Sequence, residues 1–324
     1  MTRPGTGLIP FLLVMLSVAA CGAQDVTGTE LRGVYSVEGD LHINTFGTPE
    51  QRPITSGHQD MKPSWSTTGN RIVFFRVTRF AFRIARWKTA ICVINSDGTG
   101  FRQLTDGSHS DFNPTWTRDG TDRIVFSRYY SQEKRSEIYV TTADAKRDDE
   151  QLVSDPDHGE YAFSCLQDGR IFILSRREND EERYFLLTPG KAGEGNYERV
   201  TFKFPLAGAL RRLSVSPSDT KITYEYCEGW KSFKYNGKTL YIADFDANKL
   251  VVSGAVPITD TSPDVDTITI YPRWTRDESA VVYHSNISGK NQLYMYLLHD
   301  RSTIKVSTNP EVDYRYPCGE ATPK

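Results

Sequence analysis

Cysteine is scarce in this chain: five residues in 324, with no Cys-x-x-Cys pair, which excludes a zinc site built on cysteine spacing. An excess of one charge is also lacking. The 39 basic and 41 acidic residues leave a formal net charge of -2, so no global field draws the chain to nucleic acid or to an anionic membrane. After the first twenty residues no apolar run approaches the length needed to cross a bilayer. No Gly-x-Ser-x-Gly turn, no phosphate-binding glycine loop and no sialidase-type Ser-x-Asp-x-Gly-x-x-Trp box occurs. These absences remove serine-hydrolase and nucleotide-phosphate chemistry from consideration.

Aromatic residues are plentiful, with 17 Tyr, 16 Phe and 5 Trp, and β-branched residues are common. That composition suits pleated, half-buried surfaces. The N-terminus differs from the rest. One positive charge, Arg3, precedes a continuous apolar or small stretch from Leu8 to Ala20, too short to span a bilayer and laid out like a secretory signal. It ends in Val18-Ala19-Ala20-Cys21-Gly22, which resembles the bacterial lipobox. That resemblance implies export and a lipidated Cys21 at the mature N-terminus; ordinary signal cleavage is the alternative. Of the other cysteines, Cys92 and Cys165 sit in apolar, strand-like contexts and read as small buried hydrophobes. Export permits disulfides, and nothing in the spacing of Cys92, Cys165, Cys227 and Cys318 selects a pairing.

A repeat organises the remainder. Pro63-Ser-Trp65-Ser-Thr-Thr-Gly69 leads into Arg71-Ile-Val-Phe-Phe, and Pro114-Thr-Trp116-Thr-Arg-Asp-Gly120 into Arg123-Ile-Val-Phe-Ser. Related segments are anchored at Cys165, Val215 and Trp274, so the anchors are spaced by 51, 49, 50 and 59 residues. Each unit reads as strand, tight polar turn, strand, with a third strand typified by Glu137-Ile-Tyr-Val-Thr141 and a fourth typified by Arg102-Gln-Leu-Thr105. Fourth strands are likewise expected at Arg199–Thr201 and Pro257–Thr259. Four antiparallel strands per repeat make a propeller blade. Val34 to Thr55 holds three strands without an inner one, and Asp313 to Pro317 can supply it, closing the ring. The expectation is an all-β, six-bladed β-propeller over residues 33–318, after a signal segment over 1–21 and a linker over 22–32, with a tail over 319–324.

These motifs resemble the TolB-like family of propellers, whose repeat reads roughly Pro-x-Trp-Ser-x-Asp-Gly, Ile-x-Phe, Ile-Tyr-Val, Leu-Thr. Cys165 and Val215 depart from the Trp anchor. The resemblance implies a propeller without the additional N-terminal domain of TolB, for which Cys21 to Val34 leaves no room.

Candidate site residues cluster before the inner strands. His58 and Asp60, His109 and Asp111, and His158 and Glu160 stand seven and five residues ahead of the anchors Trp65, Trp116 and Cys165. Imidazole with carboxylate is a ligand set for a divalent metal, which makes His58, His109 and His158 candidate metal ligands, and it is also a general-base pairing. Hydrogen bonding to the backbone at the entry to each inner strand is the alternative. Two loops on the same face mix cations with aromatic rings: Arg79, Arg83, Arg86 and Trp87 in one, Trp230 and Lys231 in the other. Such mixtures suit an anionic glycan, a peptide or a membrane surface. The leading expectation is a monomeric, non-enzymatic binding or scaffold protein of the cell envelope, held to the membrane by its lipid alone, with an envelope protein or anionic glycan as partner and no nucleic acid. The alternative is a metal-dependent lyase on an anionic polysaccharide, resembling the oligogalacturonate lyases.

Overall fold

A computed structural model describes residues 31–81, 86–178, 181–191, 194–204, 209–227, 238–260 and 267–321. Among them there is no helix; the chain forms antiparallel meanders of four strands each. The first comprises β1 (Leu31–Val37), β2 (Asp40–Thr45) and β3 (Arg52–Pro53). The second runs β4 (Asp60–Trp65), β5 (Arg71–Ala81), β6 (Arg86–Asn95) and β7 (Arg102–Gln103). The third runs β8 (Ser110–Trp116), β9 (Arg123–Tyr130), β10 (Arg135–Thr142) and β11 (Gln151–Leu152), joined to the second by one parallel contact, Thr89 with Ser110. The fourth is β12 (Glu160–Cys165), β13 (Ile171–Glu178), β14 (Glu181–Thr188) and β15 (Asn196–Arg199). After the short β16 (Thr201–Phe202) come β17 (Ala209–Val215), β18 (Lys221–Cys227), β19 (Lys238–Asp246) and β20 (Val251–Pro257). The next meander is β21 (Thr269–Trp274), β22 (Ala280–Ser285), β23 (Gln292–Leu297) and β24 (Ser302–Lys305), followed by β25 (Tyr314–Ala321).

The last strand does not pair with its sequence neighbours. β25 lies antiparallel to β1, so the two ends of the described chain share one sheet in the order β25-β1-β2-β3. β1 begins at Leu31 and β25 runs to Ala321, so sheet replaces the expected linker end and tail start. Two expected fourth strands shift as well. β15 ends at Arg199, while Thr201–Phe202 crosses over and pairs in parallel with β20 of the following meander. The outer strand of that meander ends at Pro257 instead of starting there, and just beyond it the Ile258 N–H donates to the Leu240 carbonyl at 2.8 Å.

Apolar side chains face the neighbouring meander. Val73, Phe75, Ile91 and Val93 of the second pack with Trp116, Ile124 and Phe126 of the third. Leu31, Tyr35 and Tyr314 at the joined ends pack with Val282, Leu293 and Met295 of the last. Cys92 and Cys165 lie fully inside such clusters, as small buried hydrophobes; burial pushes each thiol up to about 12, so neither supplies a reactive thiolate. Cys92, Cys165 and Cys318 are free thiols, and the side chain of Cys227 lies outside the described residues.

Every inner strand carries one extra residue against its partner, a β-bulge. The register shifts lie between Met61 and Ser64, Phe112 and Thr115, Ala162 and Ser164, Arg211 and Ser214, and Ile270 and Arg273, with a matching shift in β25. At five of the six bulges a non-glycine residue adopts the left-handed conformation: Lys62, Asn113, Arg212, Tyr271 and Tyr316, with φ of 51°, 53°, 48°, 59° and 56°. Four of these precede proline, which a bulge tolerates because the skipped residue owes no ladder hydrogen bond.

Candidate rim and channel site

The loops that enter the inner strands rest on the hairpin of the preceding meander. Asp40, in the β1–β2 hairpin, accepts hydrogen bonds from the backbone N–H groups of Gly57 and His58 at 3.1 Å each. The Thr89 N–H donates to the His109 carbonyl at 2.9 Å, and the Ser110 hydroxyl to the Trp87 carbonyl at 2.7 Å. This seats the His109 loop against the hairpin that bears Arg79 and Trp87. Trp87 is 49% exposed, and its ring meets Phe80 edge-on at 4.7 Å. Arg83 lies outside the described residues, as do Trp230 and Lys231; Arg86 starts β6, but its side chain lies outside them too. Cys21 also falls outside.

The paired histidines and acids separate in the structure. Asp60 and Asp111 open their inner strands fully buried, each gripped from the next strand by an arginine fork. Arg76 reaches Asp60 at 2.7 and 2.9 Å, and Arg128 reaches Asp111 at 2.7 and 3.0 Å. Arg128 also meets Glu150 at 2.5 Å. Glu160 is equally buried and accepts from the Ser175 hydroxyl at 2.8 Å and the Tyr197 hydroxyl at 3.0 Å; burial, against those bonds and Arg177, raises its carboxyl above the ordinary value. The histidines stay on the loops. His58 is exposed, His109 bonds Ser108 at 2.8 Å and lies edge-on to Tyr130, and His158 stands 3.6 Å from Asp155. The expected metal site at His58, His109 and His158 is therefore corrected. Among the described residues no three His, Cys, Asp or Glu side chains come together as a metal-holding group, because the acids turn inward to their strand partners while the imidazoles remain on separate loops.

A second cluster lies along the channel, where the bulges aim their side chains. The Lys62 ammonium donates to Asn113 Oδ1 at 2.6 Å and sits 4.7 Å from the Tyr271 ring centre. The Arg212 guanidinium stacks on the other side of the cluster, 4.4 Å from the same ring, and is ion-paired with buried Glu225. His284 stacks on Tyr271 at 5.4 Å, and Tyr316 meets it edge-on at 4.7 Å. Burial would push the Tyr271 phenol up, but Lys62 and Arg212 outweigh it and hold the phenol down at about 8. Burial also lowers the Lys62 ammonium from its ordinary value, with Tyr271 pulling it back. The repeat pattern did not announce these residues. Their only signal is position, three residues before each anchor, where Lys, Asn, Arg and Tyr replace the apolar residue of an alternating strand.

This arrangement sets an expected result. Of the 17 tyrosines, one should ionise near pH 8 by tyrosinate ultraviolet absorbance. Tyr271→Phe should abolish that step, and Lys62→Met should move it upward by about a pH unit or more, since the cation that lowers it most is gone. A titration with no step below the ordinary tyrosine range would contradict the geometry.

Below the bulges the indole N–H groups tie neighbouring meanders together. Trp65 Nε1 donates to the Cys318 carbonyl, Trp116 Nε1 to the Ser64 carbonyl and Trp274 Nε1 to the Ser214 carbonyl, each at 3.1 Å. Where Cys165 and Val215 replace Trp, other groups bridge: the Val215 N–H donates to Ser164 Oγ at 3.2 Å, and Arg118 Nε to the Cys165 carbonyl at 2.6 Å.

No protein-family model matches the sequence, and no curated protein matches it. Solved structures do. Hydrazine synthase of Kuenenia stuttgartiensis is similar with a TM-score of 0.66 and 13% identity, over 90% of this chain and 46% of that one. TolB from Acinetobacter baumannii is similar with a TM-score of 0.62 and 17% identity, over 90% of this chain and 66% of that one. An oligogalacturonate lyase in complex with manganese gives 0.52 and 11%, over 82% and 73%. The chain thus spans about half of the first and just under two thirds of the second. At these identities the likeness concerns fold: this is an all-β, TolB-like propeller.

Proposed function

We propose that the chain is a non-enzymatic binding protein of the cell envelope, a closed propeller of six blades spanning the region expected from the sequence. It is exported, cleaved before Cys21 and held to the membrane by lipid on that residue. Taking β4–β7 and β8–β11 as separate blades supports the count, as does the apolar cluster joining the last meander to the first. Its ligand face is the rim that carries His58, His109 and His158, with Arg79, Arg83, Arg86, Trp87, Trp230 and Lys231 as contact residues. It works as a monomer on an anionic glycan or an envelope protein. The observation that carries the reading is Trp87. A large aromatic ring, half exposed and braced by Phe80 on a hairpin with Arg79, loses more by facing water than by covering a partner. The buried acids support it, since Asp60 and Asp111 are spent on arginines.

A second reading, elimination on an acidic polysaccharide, is favoured by Tyr271, whose lowered phenol between two cations suits proton abstraction beside a carboxylate. Titration with polygalacturonate separates the two. Saturable binding without unsaturated product, weakened about tenfold or more by Trp87→Ala, is the expected outcome, with wild type in the membrane fraction and Cys21→Ala in the soluble one. Product formation lost in Tyr271→Phe would favour the second reading. Undiminished binding by Trp87→Ala, or equal partitioning of the Cys21→Ala protein, would overturn the corresponding part of the first.

A further inference from the structure

Directly after the bulges, one residue from each inner strand faces a common pocket of about 270 Å³: Ser64, Thr115, Ser164, Ser214, Arg273 and Cys318. Four are hydroxyls and one is a guanidinium. The other arginines lining this pocket are spoken for: Arg118 pairs with Asp219 and Arg276 with Glu320. Arg212, one step up the channel, pairs with Glu225. Arg273 has neither a carboxylate partner nor a hydrogen bond among the described residues; its neighbours are the Cys318 thiol and the Tyr271 phenol. Lys62, on the adjoining level, is answered only by an amide oxygen and the Tyr271 phenol. Among the described residues the channel interior therefore holds two cations, Arg273 and Lys62, without carboxylate partners.

A partly buried cation without a counter-charge is costly, and guanidinium N–H groups with no charged acceptor forgo strong, charge-assisted bonds. Both costs vanish when an anion occupies the pocket. Burial holds the guanidinium of Arg273 and the ammonium of Lys62 below their ordinary values, as it must where negative charge is missing. We propose that this pocket binds a small oxyanion, a carboxylate or a phosphate, with Arg273 as the fork and the hydroxyls of Ser64, Thr115 and Ser214 as donors to the remaining oxygens. The volume fits a small acid, since pockets for larger ligands run from roughly 300 to 1,000 Å³. The site lies inside the channel and is independent of the rim reading: a rim that binds no glycan leaves it intact.

The test is thermal unfolding and titration calorimetry of the whole mature protein with citrate, succinate and inorganic phosphate, each against sodium chloride at equal ionic strength. At least one anion at about 10 mM should raise Tm by about 3 °C or more beyond the salt control. A shift with phosphate alone assigns a phosphate ligand, and one with citrate or succinate a carboxylate. Arg273→Gln should lose the whole shift and Arg273→Lys should keep part of it. Should Arg273→Gln fail to fold, Ser64→Ala with Thr115→Val removes two donors and should weaken binding about threefold or more. No shift beyond the salt control with any of the three, or an undiminished shift in Arg273→Gln, or in the Ser64→Ala/Thr115→Val protein where that stands in for it, overturns the proposal.

Discussion

Removing residues 313–324 is expected to abolish cooperative folding. The deletion takes all of β25, and with it the antiparallel ladder to β1 from Val37 with Tyr314 to Leu31 with Ala321. It strips Tyr314, which is 1% exposed, from a cluster with Tyr35, Leu31 and Leu293, and it removes the oxygen that accepts from Gln51 Nε2 at 2.8 Å. The Trp65 indole loses its Cys318 carbonyl, and Arg276 loses Glu320. A bare β1 edge would also face solvent. Deleting one buried aromatic side chain costs about 3–5 kcal/mol, and a whole domain is stable by about 5–15 kcal/mol, so the sum of these losses reaches the total. Tyr314→Ala is the graded version and should lower stability by about 3–5 kcal/mol in urea denaturation. A truncated protein with the wild-type midpoint would show that the joined ends contribute nothing to the fold.

The second large effect concerns Asp111. Arg128 is 8% exposed at its side chain, forks onto Asp111 and touches Glu150. It also lies 4.8 Å from the Tyr139 ring. Asp111→Ala leaves this cation buried with half its partners, and breaking such a pair costs about 3–5 kcal/mol. His109→Ala, two residues away on the same loop, should cost under about 1 kcal/mol because its ring is only partly covered. Asp111→Leu with Arg128→Met and Glu150→Gln, which removes all three charges, should recover most of the loss. The urea midpoints of the four proteins decide the matter. If His109→Ala were the more damaging substitution, the imidazole and not the acid would be the structural member of the pair.

That contrast shows how far the sequence could be read. The repeat was legible because Trp65, Trp116 and Trp274 and their polar turns recur at regular spacing, and because the Tyr314 region supplied the strand that the N-terminal repeat lacked. The histidine-and-acid pattern was legible as a pattern, but not its sense. Asp60 and Asp111 answer Arg76 and Arg128, which sit sixteen and seventeen positions away and become neighbours only once the strands pair in register: Asp60 lies opposite Arg76, and Asp111 opposite Arg128. The channel cluster was hidden for another reason. Strict alternation assigns Lys62, Arg212 and Tyr271 no special role, and only the extra residue at each bulge turns them into the channel. The crossing of Thr201–Phe202 to β20 was equally hidden, since a parallel pair between adjacent meanders leaves no mark in a hairpin pattern.

That crossing bears on self-association. The outer strands β3, β7 and β11 are two residues long, and β15 and β24 four, which offers an incoming chain little backbone to zip onto. β20, at seven residues, is the longest of them, and its first two residues, Val251 and Val252, are where Thr201 and Phe202 lie across it. Among the described residues the molecule thus spends two of its own on the start of its longest outer strand, where an incoming chain would otherwise begin to pair, and solubility at high concentration depends on keeping that short segment in place.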